Sequence, residues 1–472
     1  MHIRSGTPRA LIAELPVAEP QPQVQVSAQP LPAPPRYREL AVFLGPLVFT
    51  GLMMTTDTPI INAVLARQAH AQESLAAFVV AFSLAMLYEA PHIMMIETGT
   101  TLATSHQALA LLRRFYIGLA LVMGAIGATV VFSPLYSALV EGVMGIPPAL
   151  AAAARPALAV FLLWPLPIGW RRLHQGALIR HGHSRAVGAG ATVRIVALLG
   201  TLGLLVPLLG GVIPSPALGA LAMLVSVTAE SAYTHVSAGR LLADLPAQPP
   251  DGHPLTGRLL WRFFWPLAGT SVLSTLGRPI LSAGLAAAAV AGADAALAAW
   301  GVAWGLLFLI NGATLTLGQV AIAWDIHPSA AWRARGDRTI LALGAALSAL
   351  VLAMVLTPLA GWLLDTLYEA TPALRATALA TLLLLVPVPV VFTANALLRG
   401  KLIARRQTRL VQRAGLLDLA VMGAVLGLGI AWPFALPHPA APTLGAITML
   451  AVYATDFLIL SWGVRTHRRM GE

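Results

Sequence analysis

Twelve stretches of this chain are apolar over a length that suits a lipid bilayer, and that pattern limits the fold more than any other feature. A helix needs about 20 mostly apolar residues to cross a hydrocarbon core about 30 Å thick. Runs of that kind fall at 38–66, 74–97, 111–136, 151–172, 186–210, 216–240, 260–288, 292–324, 338–365, 372–398, 409–434 and 442–465; they are called spans 1 to 12 below. Charged residues make up 10% of the chain, against about a quarter in soluble proteins. A water-soluble fold would have little to cover its surface with. The expected fold class is therefore all-α integral membrane, with twelve transmembrane helices.

The basic residues set an orientation. Arginines cluster in the N-terminal tail, the 2–3, 4–5, 8–9 and 10–11 connections, the central linker and the C-terminus, while only Arg67, Arg155 and Arg375 fall on the other side. In that census Arg113 and Arg114 count as the 2–3 loop, Arg171 and Arg172 as the 4–5 loop, and Arg399 and Lys401 as the 10–11 connection. Cytoplasmic loops carry the excess of Lys and Arg, so both termini are expected in the cytoplasm, which an even number of spans requires. A single lysine, Lys401, beside many Arg, Ala and Gly residues suggests a GC-rich bacterial gene, hence a multi-pass protein of the bacterial inner membrane. Basic charge divided among short loops argues for membrane lipids as partners and against nucleic acid. There are no cysteines, which excludes disulfides and thiolate metal sites. Residues 1–37 are rich in Pro, Gln and Ala and lack an apolar signal-peptide core; they are expected to be a disordered cytoplasmic tail. The remaining layout is a six-helix bundle over 38–243, a cytoplasmic linker at 244–257, a second bundle over 258–466 and a short tail at 467–472.

The two bundles follow from an internal repeat. Pro46-Leu47 and Pro59-Ile60 on span 1 match Pro266-Leu267 and Pro279-Ile280 on span 7. Pro165-Leu166-Pro167 on span 4 matches Pro387-Val388-Pro389 on span 10. Span 6 reads LGALAMLVSVTAE, ending at Glu230, and span 12 reads LGAITMLAVYATD, ending at Asp456. These matches come in order at offsets of 220, 222 and 226 residues. Six spans per repeat insert both halves the same way up, related by an axis along the membrane normal. Such folds hold substrate in the cleft between halves and work by rocking.

Several of these segments resemble the progressive ankylosis (ANK) transporter family. On span 7 these are Phe264-Trp265-Pro266-Leu267-Ala268 and Arg278-Pro279-Ile280, and on span 10 Pro387-Val388-Pro389. His174, Gly176, Leu178, Arg180, His181 and Ser184 at the end of span 4 also fit the family pattern. The resemblance covers most of 38–466 and implies a bacterial homologue within the multidrug/oligosaccharidyl-lipid/polysaccharide exporter superfamily, MATE-like, with two six-helix bundles forming a V. It also implies export of organic and phosphate-bearing anions such as pyrophosphate, citrate and ATP. The Pro/Gln-rich N-terminal tail, the lack of a long acidic C-terminal tail and the surroundings of Asn311-Gly312 depart from the family.

Ionisable groups inside a membrane cost about 2.5–3.5 kcal/mol each on insertion scales and so face a cavity or a partner. Asp57 and Arg278 each stand just before a repeat-related proline. Arg278 is expected to anchor an anionic group, since guanidinium matches carboxylate and phosphate bidentately, and Asp57 to couple to a proton or sodium ion. A fixed ion pair, or capping of carbonyls freed by the helix break, is the other reading. Glu89 and His92 share one helical face of span 2, and Asn311 is the repeat counterpart of Glu89. Glu230 and Asp456 are a repeat-related acid pair, either coupling sites or structural carboxyls. Arg194 lies inside span 5 and either meets substrate or snorkels to the interface. The substrate set is thus Arg278, Asp57, Asn311, His92, Arg194 and Asn395, with Asp57, Glu89, Glu230 and Asp456 for coupling. His174, Arg180, His181 and Arg185 would form a cytoplasmic basic entrance or an orientation signal. The chain has no GxxxxGK[ST], GxSxG or HExxH motif, so an enzyme, a cofactor or a metal centre is not expected. The expectation is a monomeric secondary transporter of small anions, with a cation-coupled multidrug antiporter and a lipid-linked precursor flippase as alternatives.

Overall fold

The computed structural model describes residues 36–470, apart from 66, 69–70, 145, 211, 250–251, 289–292, 328, 369–370 and 433–439. All regular structure in the described residues is helical. The spans are Tyr37–Leu65, Glu73–Leu102, His106–Phe132, Ser184–Leu209, Ser215–Leu241, Ala299–Asp325, Ala330–Leu356, Thr408–Ala431 and Pro442–Thr466, with two bent pairs and one further helix. The bent pairs are Pro148–Phe161 with Pro165–Arg180 (span 4) and Pro372–Leu384 with Val388–Ala404 (span 10). The helix Gly257–Ala288, 32 residues long, is span 7.

Local chemistry explains the ends and the breaks. Ser105, Ser329 and Thr371 cap spans 3, 9 and 10, each accepting from the backbone N–H three residues on. Spans 4 and 10 bend by 42° and 41° where Pro165 and the Pro387–Pro389 segment interrupt the ladder. Proline lacks an N–H and clashes with the preceding turn, which kinks a helix there. Span 2 breaks at Met94 and span 8 at the short 3₁₀ turn Gly312–Thr314. The repeat seen in the sequence is therefore also a repeat of helix breaks at spans 2 and 8 and at spans 4 and 10, but not at spans 1 and 7. Span 1 turns at Thr55-Thr56, whereas Gly257–Ala288 is continuous past Pro266 and Pro279, so the break expected beside Arg278 is not found.

Several boundaries differ from the apolar runs. Span 3 starts at His106 rather than 111, span 9 runs Ala330–Leu356 rather than 338–365, and spans 4 and 10 continue to Arg180 and Ala404. Arg113, Arg114, Arg171, Arg172, Arg399 and Lys401 consequently lie within helices, not in loops. Hydropathy marks where the apolar run stops, whereas the hydrogen-bonded helix continues through arginine, a good helix former. Residues 1–35 of the expected tail lie outside the described residues. At the other end the last helix continues to Met470.

Packing distinguishes the two ends of the molecule. One apolar cluster runs across both halves, from Leu44, Ile96 and Leu173 to Phe264, Val320 and Leu402. Its members sit at the ends of the spans nearest the termini. Phe115 meets Phe264 with ring centroids 5.0 Å apart, and Phe43 meets Trp324 at 5.8 Å. A Cβ on Gly51 would run into the carbonyl oxygen of Gly312, so glycine lets spans 1 and 8 touch backbone to backbone, as small residues do between membrane helices. At the far end the cores separate. One cluster holds Phe78, Phe161 and Leu202 of the first half; another holds Leu285, Val351 and Leu426 of the second. Among the described residues, the two six-helix bundles are thus sealed together at the termini end and have independent cores at the other, a V.

Candidate functional site

Asp57 opens the second segment of span 1 after a turn at Thr55-Thr56. Those two hydroxyls donate to the carbonyls of Leu52 and Met53 at 2.7 and 2.8 Å, which satisfies acceptors that the break would otherwise leave bare in the membrane. The turn carries the Asp57 carboxylate inward, where it is 5% exposed. Its Oδ2 lies 3.5 Å from Nη1 of Arg194 on span 5. Nε of Arg194 lies 3.7 Å from Oε2 of Glu230 on span 6. Arg171 on span 4 donates to that same oxygen, and Gln175, one turn along, donates to Oε1 at 3.0 Å. Spans 1, 4, 5 and 6 are therefore tied by a buried chain, Asp57–Arg194–Glu230–Arg171.

A second group lies closer to the seal. Glu89 and His92 on span 2 are buried, and neither ring nitrogen of His92 has a described partner. Glu97, one break further along the same span, accepts from Gln319 of span 8 at 2.7 Å. This bond crosses from one half to the other, as does the bond at 2.9 Å in which Thr316 donates to the Leu47 carbonyl. Arg172 on span 4 is within electrostatic range of Glu89, Glu97 and Glu230.

The second half carries a smaller counterpart. Arg399 on span 10 donates to Asp456 on span 12 at 2.9 Å. The Asn395 amide donates to the carbonyl of Tyr453 at 2.9 Å. Asp418 on span 11 is within electrostatic range of both Asp456 and Arg399. It stands 224 residues after Arg194, where the repeat, aligned on Ser184 and Thr408, places that arginine's equivalent. An arginine between two acids in the first half thus corresponds to an acid beside an acid–arginine pair in the second.

The other expected residues divide. The backbone of Arg278 belongs to Gly257–Ala288, but its side chain lies outside the described ones; the described partner of Asp57 is Arg194. Asn311 ends the first segment of span 8 and is 5% exposed. His174 sits well inside span 4 rather than at its end, fully buried, and accepts from Arg113 at 3.1 Å. Arg180 donates to the carbonyls of Thr100 and Thr101 at 3.0 and 2.8 Å, and His181 is bonded to the Ala103 carbonyl at 2.8 Å. Both close off the end of span 2. Arg185 is exposed. Arg171, Arg172, Gln175 and Arg399 lie where the apolar runs of spans 4 and 10 end, so hydropathy does not mark them as membrane-embedded groups. Glu97, Gln319 and Asp418 lie inside apolar runs, and the repeat interval of 222 residues pairs Glu97 with Gln319.

No protein-family model matches the chain, and neither does any curated protein. Solved structures do match. A MATE transporter in complex with MaL6 superposes with a TM-score of 0.70 at 14% identity, over 91% of this chain and 96% of that one. A MATE family transporter of the MOP superfamily in an outward-facing conformation gives 0.69 at 14% identity, over 92% and 95%. A MOP superfamily transporter from Pyrococcus furiosus, described as having a binding pocket of reversed polarity, gives 0.69 at 14% identity, over 91% and 95%. These likenesses establish the fold: twelve helices in the two-bundle arrangement of MATE structures.

Proposed function

We propose that this chain is a secondary transporter working by alternating access, and that it carries small organic or phosphate-bearing anions across the bacterial inner membrane. The observation that carries the reading is the pairing of a V sealed at one end with a buried ionic chain in the wall of one bundle. A protein that only needed to be stable would gain little from Asp57, Arg194, Glu230 and Arg171 at this depth, because buried ion pairs are commonly no better than apolar packing. Charges inside membrane helices mark ion and substrate paths. Transporters of the MATE and MOP kind share the architecture. With cytoplasmic termini, the described state opens to the outside. The coupling carboxylate is drawn from Asp57, Glu89, Glu230 and Asp456, all buried, and Arg278, Asn311, Asn395 and His92 contribute polar groups to the cleft.

The second reading is a proton- or sodium-coupled antiporter of organic cations. It is favoured by the carboxylates Asp57, Glu89, Glu97, Glu230, Asp418 and Asp456, which outnumber the guanidiniums Arg171, Arg172, Arg194 and Arg399 among the described residues. Flux through purified protein in vesicles separates the two. Labelled pyrophosphate, citrate or ATP is expected to cross protein-containing vesicles faster than empty ones. Movement of a cationic dye alone would refute the anion reading.

A further inference from the structure

We infer that Arg172 grips the anionic group of the substrate, and that a proton taken up by the Glu89–Glu97 pair travels with it. The inference rests on the anion reading above and names its site and its coupling.

Arg171, Arg172 and Arg194 are the three buried arginines among the described residues. Arg171 and Arg194 each have a carboxylate within 4 Å. Arg172 has none, and it makes no hydrogen bond to any described residue, although it is only 8% exposed and its Nε is buried without a partner. A guanidinium presents five N–H donors in a planar fork, and leaving them bare in a buried setting is costly. Glu89 and Glu97 hold this fork by charge from a distance, without closing on it. A carboxylate or phosphate group is the partner such a fork takes best, since two parallel N–H···O bonds are the strongest contact arginine makes.

The position suits a substrate. Arg172 precedes Leu173, a member of the seal, and lies about 12 Å from the end of span 4 at Arg180 by helical rise. Glu97 beside it is bonded to Gln319 of the other half. Arg172 is therefore at the inner edge of the seal, on the side facing the second bundle, where the floor of the V lies.

The surrounding charge dictates what must accompany an anion. Asp57, Glu89, Glu97 and Glu230 face Arg171, Arg172 and Arg194 in the first half, with Arg399 and Gln319 approaching Glu97 from the second. Tyr88 and Tyr116 are neighbours without charge, and both ring nitrogens of His92 are free of described partners on the same face as Glu89. Among these buried groups of the first half, carboxylates exceed guanidiniums by one. An added anion raises the excess and binds poorly unless a carboxylate is neutralised. Asp57 also leaves one oxygen unbonded, but its other oxygen lies 3.5 Å from Arg194, which favours the charged form. Glu89 and Glu97 have no described guanidinium within 4 Å and are the groups that take up the proton. Binding of anion and proton then favour each other, and by linkage the effect is reciprocal. The anion and proton move in the same direction, so an inward proton gradient drives the anion inward.

Calorimetric titration of the purified full-length protein tests this, with citrate and pyrophosphate as probes, in two buffers of different ionisation enthalpy. Wild type is expected to bind and to take up protons on binding. Arg172→Gln should lose about 10- to 100-fold in affinity, the worth of charge-assisted hydrogen bonds, and Arg172→Lys should recover part of it. A Glu89→Gln/Glu97→Gln double variant should bind with that proton uptake abolished. Unchanged affinity in both Arg172 variants, or unchanged proton uptake in the double variant, would overturn the inference and leave the anion reading standing. Failure of wild type to bind either probe or move it in vesicles would overturn both.

Discussion

Glu230 gathers more partners than any other acid in the described interior: Arg171, Gln175 and Arg194 all converge on its carboxylate. Removing one member of a buried pair strands the other, at a cost of about 3–5 kcal/mol. Arg171→Ala is therefore expected to lower the thermal unfolding midpoint of the purified protein sharply. Glu230→Gln should do so less in a background that also carries Arg171→Met, because no charge is then stranded. Glu230 and Asp456 were legible in the sequence, since an ionisable residue in an apolar run is conspicuous and the repeat sets one against the other. Their partners were not. Arg171 and Arg399 sit where an apolar run gives way to polar sequence, and one sequence cannot tell an arginine that ends a span from one that turns back into it.

Elements meet at the termini end through their last turns. Arg180 and His181, just past the bend in span 4, bond the carbonyls that close span 2. These orphan carbonyls need a donor wherever water is scarce. Burial pushes the His181 imidazole below its ordinary value of 6.5, and neighbouring Arg180 and His183 push it further, against the opposing effect of the Ala103 carbonyl. The unfolded chain then binds the proton more readily than the folded one. The associated stability is present above pH 6.5 and declines as the pH falls through that value towards the lowered one. Unfolding midpoints measured at about pH 7.5 and about pH 5.5 should drop more for wild type than for His181→Gln. A drop of equal size in both would remove His181 from the account. Pro165 and Pro387 announced the bends in spans 4 and 10, because proline acts locally. The turn at Gly312–Thr314 has no proline of its own, and it follows from the contact of Gly312 with Gly51, a tertiary effect.

At the scale of the whole molecule, the described residues of the two halves share a core only at the termini end, and the alternating access proposed above requires that core to part. The chain has no cysteine, so a pair introduced at Leu47 and Thr316, neighbours across the seal, has no background. Cross-linking Leu47→Cys with Thr316→Cys is expected to arrest flux in vesicles, with recovery on reduction if the link is a disulfide. Flux that continues through the linked protein would show that the seal does not open. The twelve spans and their division were readable from apolar length and from the repeat; which end is closed was not, because apolar length does not say which ends of the spans pack across the two halves. Glu97 and Gln319 stand 222 residues apart, the same interval that separates Pro165 from Pro387. Equivalent residues that touch must lie on the axis relating the halves. If such halves once assembled as identical copies, this position would have faced itself. Two glutamines can share such a spot, each amide giving and receiving; two ionised glutamates repel. Fusion into one chain frees the two sides to differ, and here they differ by an amide against a carboxylate. A contact that symmetry would make two-way has become directional, with donor and acceptor assigned once and for all. The two bundles, alike in architecture, therefore approach their common axis as unequal partners.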